Sequence, residues 1–262
     1  MAAYKLGMSA EIPRIHGIYR YPVKGLSPEP LTRTKLAVGE TLPADRLYAI
    51  ENGPSGFDPA APRYQPKQRY LMLMRNERLA RLRTHYEDAN HTLAIELDGR
   101  EAARGDLHTS DGRATIERFF ADFCADELRG SPRLLHAPGF SFSDVARKVV
   151  SIVNLASVAA IENLVGMPAH PLRFRANLYV TDWPAWREFD LVGQEIAIGK
   201  AARLRIIKRI VRCAAIDVDP DTGIRDLSIP RALMRSFGHA NCGVYAEVVN
   251  AGEIVHGNEL RS

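Results

Sequence analysis

The stretch IPRIHGIYRYPVKG, residues 12–25, alternates and then turns. Ile15, Gly17, Tyr19 and Tyr21 fall on one side, His16, Ile18 and Arg20 on the other, which is the two-residue period of a β-strand. Pro22 stops the run, and Pro22-Val23-Lys24-Gly25 is a turn that presents Lys24 at a strand end. The same grammar recurs outward from there. Leu31 to Val38 and Leu42 to Glu51 read as strands, the second carrying Asp45-Arg46 near its start. Residues 52–67 hold Pro54, Pro59, Pro62 and Pro66, so they form a long surface loop of the kind that is often functional. After a turn near Asn76, strands ending at Tyr86 and running from Thr92 to Leu97 have hairpin spacing, and Asp98-Gly99 is a further turn.

Helices are few. Thr115 to Leu128 puts Ile116, Phe119, Phe120 and Phe123 on one face and stops at Gly130 and Pro132. Leu155 to Val165 is entered through Asn154 as N-cap and closed by Gly166 and Pro168. Leu172–Thr181, Glu195–Ile198, Leu204–Val218 and Val244–Val249 read as strands, and Ile229–Arg235 as a short helix capped by Ser228. Many short strands with few helices give a β-rich α+β fold, built on β-barrels. There is no βαβ alternation, GxGxxG or GxxxxGK[ST], which argues against Rossmann and P-loop sites. A boundary near the phenylalanine-rich helix divides the chain into residues 12–113 and 114–262.

Composition narrows the function classes. With 262 residues, 46% hydrophobic and 25% charged, the chain is long enough for one large or two small cores. A net charge of +4 suits an anionic ligand, but no run of like charges marks a nucleic-acid footprint. Cys124, Cys213 and Cys242 are too sparse for a zinc ribbon or a disulfide framework. The N-terminus lacks the apolar core of a secretory signal, and the most apolar segment, 149–166, is interrupted by Asn154, Glu162 and Asn163. The expected location is cytoplasmic, away from membranes.

The chemistry concentrates in KRIVRCAAIDVDPDTG, residues 208–223. Lys208, Arg209 and Arg212 approach Cys213, and the run closes on the turn Asp219 to Gly223. A cysteine among cations is open to three readings: a nucleophile, a soft-metal ligand, or a small buried thiol. Arg173-Phe174-Arg175-Ala176-Asn177, read as a strand, places Arg173, Arg175 and Asn177 on one face, suited to a phosphate and a ring amide. The N-terminus of the helix after Asn154, with Ser151 and Ser157 beside it, is a second place for a phosphate. Asp217, Asp219, Asp221 and Asp226 lack the glycine and glutamate of a calcium loop and read as a hairpin turn. The eight histidines show no zinc-enzyme spacing, and no GxSxG elbow is present.

Taken in order, YPVKGL at 21–26, Asp45-Arg46, RFRAN at 173–177, Arg212-Cys213, VDPDTG at 218–223 and Gly243-Val244-Tyr245-Ala246 resemble MOSC-domain proteins of the two-part form. In that form an N-terminal β-barrel domain precedes a MOSC domain with a pyruvate-kinase-like barrel. The resemblance implies a molybdenum cofactor. Cys213 would ligate the metal and carry the catalysis. Lys24, Gly25, Arg46, Arg173, Arg175, Asn177 and Arg212 would hold the pterin and its phosphate, with Asn154 and Ser157 lining the same pocket. The better-studied relatives, the mitochondrial amidoxime-reducing component and its bacterial counterparts, reduce N-hydroxylated compounds. A small-molecule substrate and a separate electron-transfer protein follow, since no cysteine-rich segment follows Leu260. Pyridoxal phosphate is not expected, because the first domain reads as β-rich. The sequence departs from the family at Gly25, where serine is frequent, at Ala176, where proline is, and at Cys242, where an aromatic is common. A non-catalytic carrier of the cofactor or its sulfur, and a barrel binding only a phosphate anion, remain alternatives.

Overall fold

The computed structural model describes residues 12–262. The stretch read above as lacking a secretory signal lies, up to Glu11, outside the described residues. Early in the chain come β1 (Arg14–Arg20), β2 (Glu29–Leu31), β3 (Arg33–Leu36) and β4 (Ala49–Glu51). An antiparallel meander, β5 (Leu82–Glu87), β6 (Thr92–Leu97) and β7 (Arg100–Asp106), carries α1 (Ser110–Phe123). Then follow β8 (Arg133–Leu135), β9 (Val150–Asn154), α2 (Leu155–Val165), β10 (Leu178–Thr181), β11 (Glu195–Ile198) and β12 (Ala202–Val211). The chain closes with α3 (Ile229–Phe237), β13 (Asn241–Asn250), β14 (Gly252–Val255) and β15 (Leu260–Arg261).

One curled eight-stranded sheet, ordered β15-β11-β12-β13-β9-β10-β1-β2, dominates the molecule. Its concave face encloses Ile15, Ile18, Ile152, Val180, Ile196, Leu204 and Val244 in the largest core cluster. The fold is β-rich α+β, as the sequence implies. The start of the chain is woven into this sheet, because β1 pairs with β10, while β3 pairs with β14 from the chain's end in a separate two-stranded sheet. A second core lies between the meander and α1, where Ile116 and Phe120 are buried and Phe119 and Phe123 pack alongside. Among the described residues no helix is long and apolar enough to cross a membrane.

Several elements differ from the sequence reading, each for a local reason. A bulge between Ile15 and Gly17 shifts the face of β1, so Ile18 joins Ile15 in the core instead of opposing it. Leu42–Glu51 is extended only from Ala49, since Ala44 and Arg46 take positive φ angles of 57° and 51°. The Leu31–Val38 run breaks into β2 and β3, which pair with different partners. Helix α1 starts earlier than Thr115 and ends at Phe123, because Thr109 caps it by accepting from Gly112 N. Leu172–Thr181 is strand only from Leu178, after a 3-10 turn at Pro171–Phe174 and a left-handed Arg175. β12 ends at Val211, short of Val218, and the chain then enters a 3-10 turn, Ala214–Asp217. Ser228 makes no side-chain cap at α3; Asp217 Oδ1 accepts from Ile229 N at 2.7 Å instead. Finally β9, α2 and the parallel β10 form a single βαβ unit that the sequence pattern does not announce.

Candidate functional site

Two chain segments meet at the end of β1. Tyr21 N donates to Asp45 Oδ1 at 2.9 Å, Arg46 N donates to Tyr21 O at 2.7 Å, and Lys24 N donates to Tyr48 O at 2.8 Å. These bonds fix Lys24 and Arg46 on one rim. Arg46 is held as a fork by Asp45, with Nη1 2.6 and 2.7 Å from the two carboxylate oxygens, while Nη2 donates to Arg175 O at 2.9 Å. Gly25 follows with φ +85°, and a Cβ there would lie 2.9 Å from Leu71 O, so both backbone conformation and space demand glycine.

Opposite them β12 runs out at the site. Arg212 N makes a last ladder bond to Ala240 O, and Arg212 Nε and Nη1 donate to Cys242 O and Phe174 O, each at 2.7 Å. Gly243, with φ +73°, leaves the room this guanidinium occupies: a Cβ would lie 3.0 Å from Nη2 and 2.5 Å from Ile152 O. Cys213, partly exposed, comes next, and its Sγ accepts from Lys67 Nζ at 3.1 Å. Behind it, Arg173 holds the 217–226 turn. Its Nη2 donates to Asp219 and Asp226 at 2.9 and 2.7 Å, and its Nη1 to Asp226 and Asp217 O at 2.7 and 3.1 Å. Asp219 in turn accepts from Asp221 N and Thr222 N, which is the turn expected from the spacing.

Between these walls lies a cavity of about 330 Å³. Its lining brings together Lys24, Gly25, Arg46, Arg173, Arg175, Asn177, Arg212 and Cys213, out of the ten residues that the sequence nominates. Their roles differ. Asn177 spends its amide inside the sheet, accepting from Ser151 N and Oγ and donating to Tyr19 O. Arg173 is 3% exposed and bonded as above, so it positions the turn behind Cys213. Arg175, by contrast, has no side-chain hydrogen-bond partner among the described residues and lies 4.4 Å from the centre of the Tyr21 ring, with Arg46 4.2 Å from the same ring. The alternation reading of RFRAN therefore fails, because a 3-10 turn aims Arg173 and Arg175 to different partners.

Asn154 and Ser157 are not in this lining. The N-terminus of α2 already holds an anion-type group of the protein itself. Ser157 Oγ and Asn154 Nδ2 donate to Glu188 Oε2 at 3.0 and 3.2 Å, and Asn154 Oδ1 caps Ala156 N. All three residues are completely buried.

Two charged cavity residues are absent from the sequence reading. Lys67, at the end of the proline-rich loop, reaches Cys213, and Asp144 pairs with Lys24 and faces Lys67. The loop's length is the one signal for Lys67, and nothing in the local sequence singles out Asp144. Eight Lys and Arg side chains line the cavity against two carboxylates, so its field favours anions. Burial pushes the Lys24 ammonium down against the pull of Asp144. Burial also disfavours the charged form of Lys67, yet Asp144 and Cys213 raise it overall. Cys242 is different: burial drives that thiol up to about 12. The arrangement offers one accessible sulfur at one wall and several cations at another, which suits a ligand carrying both an anionic group and a thiophilic centre.

Comparison with known proteins agrees with the residue pattern. The MOSC N-terminal beta barrel domain matches residues 12–127 and the MOSC domain matches residues 104–261. No curated protein matches significantly. Among solved structures, the YUAD protein from Bacillus subtilis aligns over 95% of this chain and 94% of its own, with a TM-score of 0.47 and 14% identity. YiiM from Geobacillus stearothermophilus aligns over 42% of this chain and 52% of its own, with a TM-score of 0.33 and 18% identity. Both likenesses are too weak to bear on function. The two family matches together span the described chain almost from end to end, and the chain belongs to the MOSC-domain family.

Proposed function

We propose that this protein binds the molybdenum cofactor with Cys213 as the protein's ligand to the metal, and that it reduces N-hydroxylated or N-oxygenated small molecules with electrons from a separate protein. MOSC domains as a family are linked to that cofactor. The observation that carries the reading is the placement of the Cys213 thiol in a cavity lined by Lys24, Arg46 and Arg175. These donors fit the cofactor: a soft thiolate for molybdenum, and guanidinium and ammonium groups for a phosphate. Among the described residues no three His, Cys, Asp or Glu side chains are grouped to hold a metal by themselves, so a metal at Cys213 would take its other ligands from an organic group.

When bound, the cofactor supplies the site at which an N–O bond is reduced and its oxygen removed. The chain's own contribution is orientation and charge. Arg46, fixed by Asp45, and Arg175, with free donors, would grip the phosphate end. Arg212, pinned by two carbonyls, holds Cys213 at the end of β12. Lys67 holds a proton at Nζ beside the sulfur and would supply positive charge and a hydrogen-bond donor next to a metal bound there.

The test is metal and pterin analysis of protein made in a cofactor-producing host, wild type beside Cys213→Ala. About one molybdenum per chain in wild type and none in the variant is expected from a single thiolate site. Full folding without molybdenum in wild type would overturn the reading. Bound molybdenum with no turnover of hydroxylamine-type substrates under strong chemical reductant would assign the protein to cofactor carriage instead.

A further inference from the structure

Asp144 stands where an incoming anion has to go. Its Oδ1 accepts from Lys24 Nζ, and its Oδ2 lies 3.8 Å from Lys67 Nζ. Lys24 is nearly closed off, with 7% of its side chain exposed, whereas the Asp144 side chain is 48% exposed. Lys24 Nζ also donates to Phe142 O at 2.8 Å, and Tyr64 Oη donates to Asp144 O at 3.1 Å. One short segment thus satisfies a buried ammonium from the open side of the cavity. Although burial favours the neutral acid, Lys24, Lys67 and Arg46 hold the Asp144 carboxyl well below the usual carboxylate range, so it is ionised at neutral pH.

A buried ammonium without a partner is costly, so Lys24 needs an anion when the cavity holds no ligand. A ligand anion approaching Lys24 must take the place of Asp144, which can leave because it is half exposed. We infer that Asp144 is an exchangeable internal counter-ion that makes the cavity select dianionic, phosphate-type groups over monoanions. A free carboxylate replacing Asp144 exchanges one monoanion for another and gives up the advantage of tethering. A phosphate dianion brings a second charge and more acceptor oxygens, which Arg46 and Arg175 beside Tyr21 are placed to use. This inference rests on the cavity taking an anionic ligand at Lys24, as the proposed function requires.

The experiment is calorimetric titration of the full chain, produced in a host unable to make the cofactor, with inorganic phosphate and with acetate at mildly alkaline pH. Wild type is expected to bind phosphate and to show no acetate binding. Asp144→Asn is expected to bind phosphate about tenfold tighter and to gain acetate binding, because competition from the internal carboxylate is gone. Tyr64→Phe removes a tether and no charge, and serves as a second variant should Asp144→Asn fold poorly. It is expected to tighten phosphate about twofold, from a weaker hold on the competing carboxylate. Phosphate binding that is unchanged or weaker in the variants would overturn the inference and make Asp144 a fixed anchor for Lys24. Failure of wild type and variants alike to bind phosphate would overturn the anionic reading of the cavity itself.

Discussion

Lys67 Nζ lies 3.1 Å from Cys213 Sγ, although the two residues are 146 positions apart. Of three free cysteines, Cys124 and Cys242 are fully buried, and burial drives both thiols up to about 12. Cys213 alone is partly exposed, and it alone faces an ammonium. Brief treatment of the native protein with iodoacetamide should therefore label one site, and peptide mass spectrometry should place it at Cys213. Lys67→Met should slow that labelling severalfold while leaving the other two thiols unlabelled. Equal labelling of all three in the folded protein would contradict the burial described here.

Glu188 is the buried carboxyl beneath α2, with Oε1 unpartnered and no cation paired to it among the described residues. Burial raises it above the ordinary glutamate range, against the pull of its hydrogen-bond donors. The unfolded chain then releases the proton at a lower pH than the folded chain does. Stability should fall as pH climbs from the usual carboxyl range toward the raised value, and level off above it. Urea unfolding across that window should show the decline in wild type and its absence in Glu188→Gln. Parallel pH profiles for the two proteins would refute the assignment.

Much of this site was readable in the sequence because its members sit at element ends marked by turns. Lys24 follows Pro22, Arg46 follows Asp45, and Cys213 follows the alternating, basic run of β12. The order of those motifs also disclosed the family. What the sequence could not show depends on long-range placement. Asp144 meets Lys24 across 120 residues, and no periodicity encodes such a meeting. The left-handed Arg175 and the 3-10 turn before it were hidden for a different reason: RFRAN alternates like a strand, and tertiary bonds from Arg173 to Asp219 and Asp226 override that pattern.

Arg173→Met tests this override. The substitution leaves the Asp219 and Asp226 carboxylates facing each other without their guanidinium, and orphans Asp217 O. Breaking a buried, multiply bonded pair from one side costs about 3 kcal/mol. The 217–226 turn should loosen, and hydrogen exchange should accelerate there more than in the meander. A variant as stable as wild type, with the turn equally protected, would mean that Arg173 is spare and available to a ligand.

Asn154→Ala separates a folding role from a ligand role at the position that the family resemblance assigned to the cofactor pocket. The amide caps α2 through Ala156 N and donates to Pro184 O at 2.8 Å and to Glu188. Loss of an N-cap alone costs about 1 kcal/mol, and leaving the Glu188 carboxyl short of a donor adds a further 1–3 kcal/mol, roughly. Because Asn154 does not line the cavity, phosphate affinity and molybdenum content per folded chain should match wild type. The reverse outcome, unchanged stability with lost phosphate binding or metal, would return Asn154 to the pocket and require α2 to approach the ligand more closely than it does here.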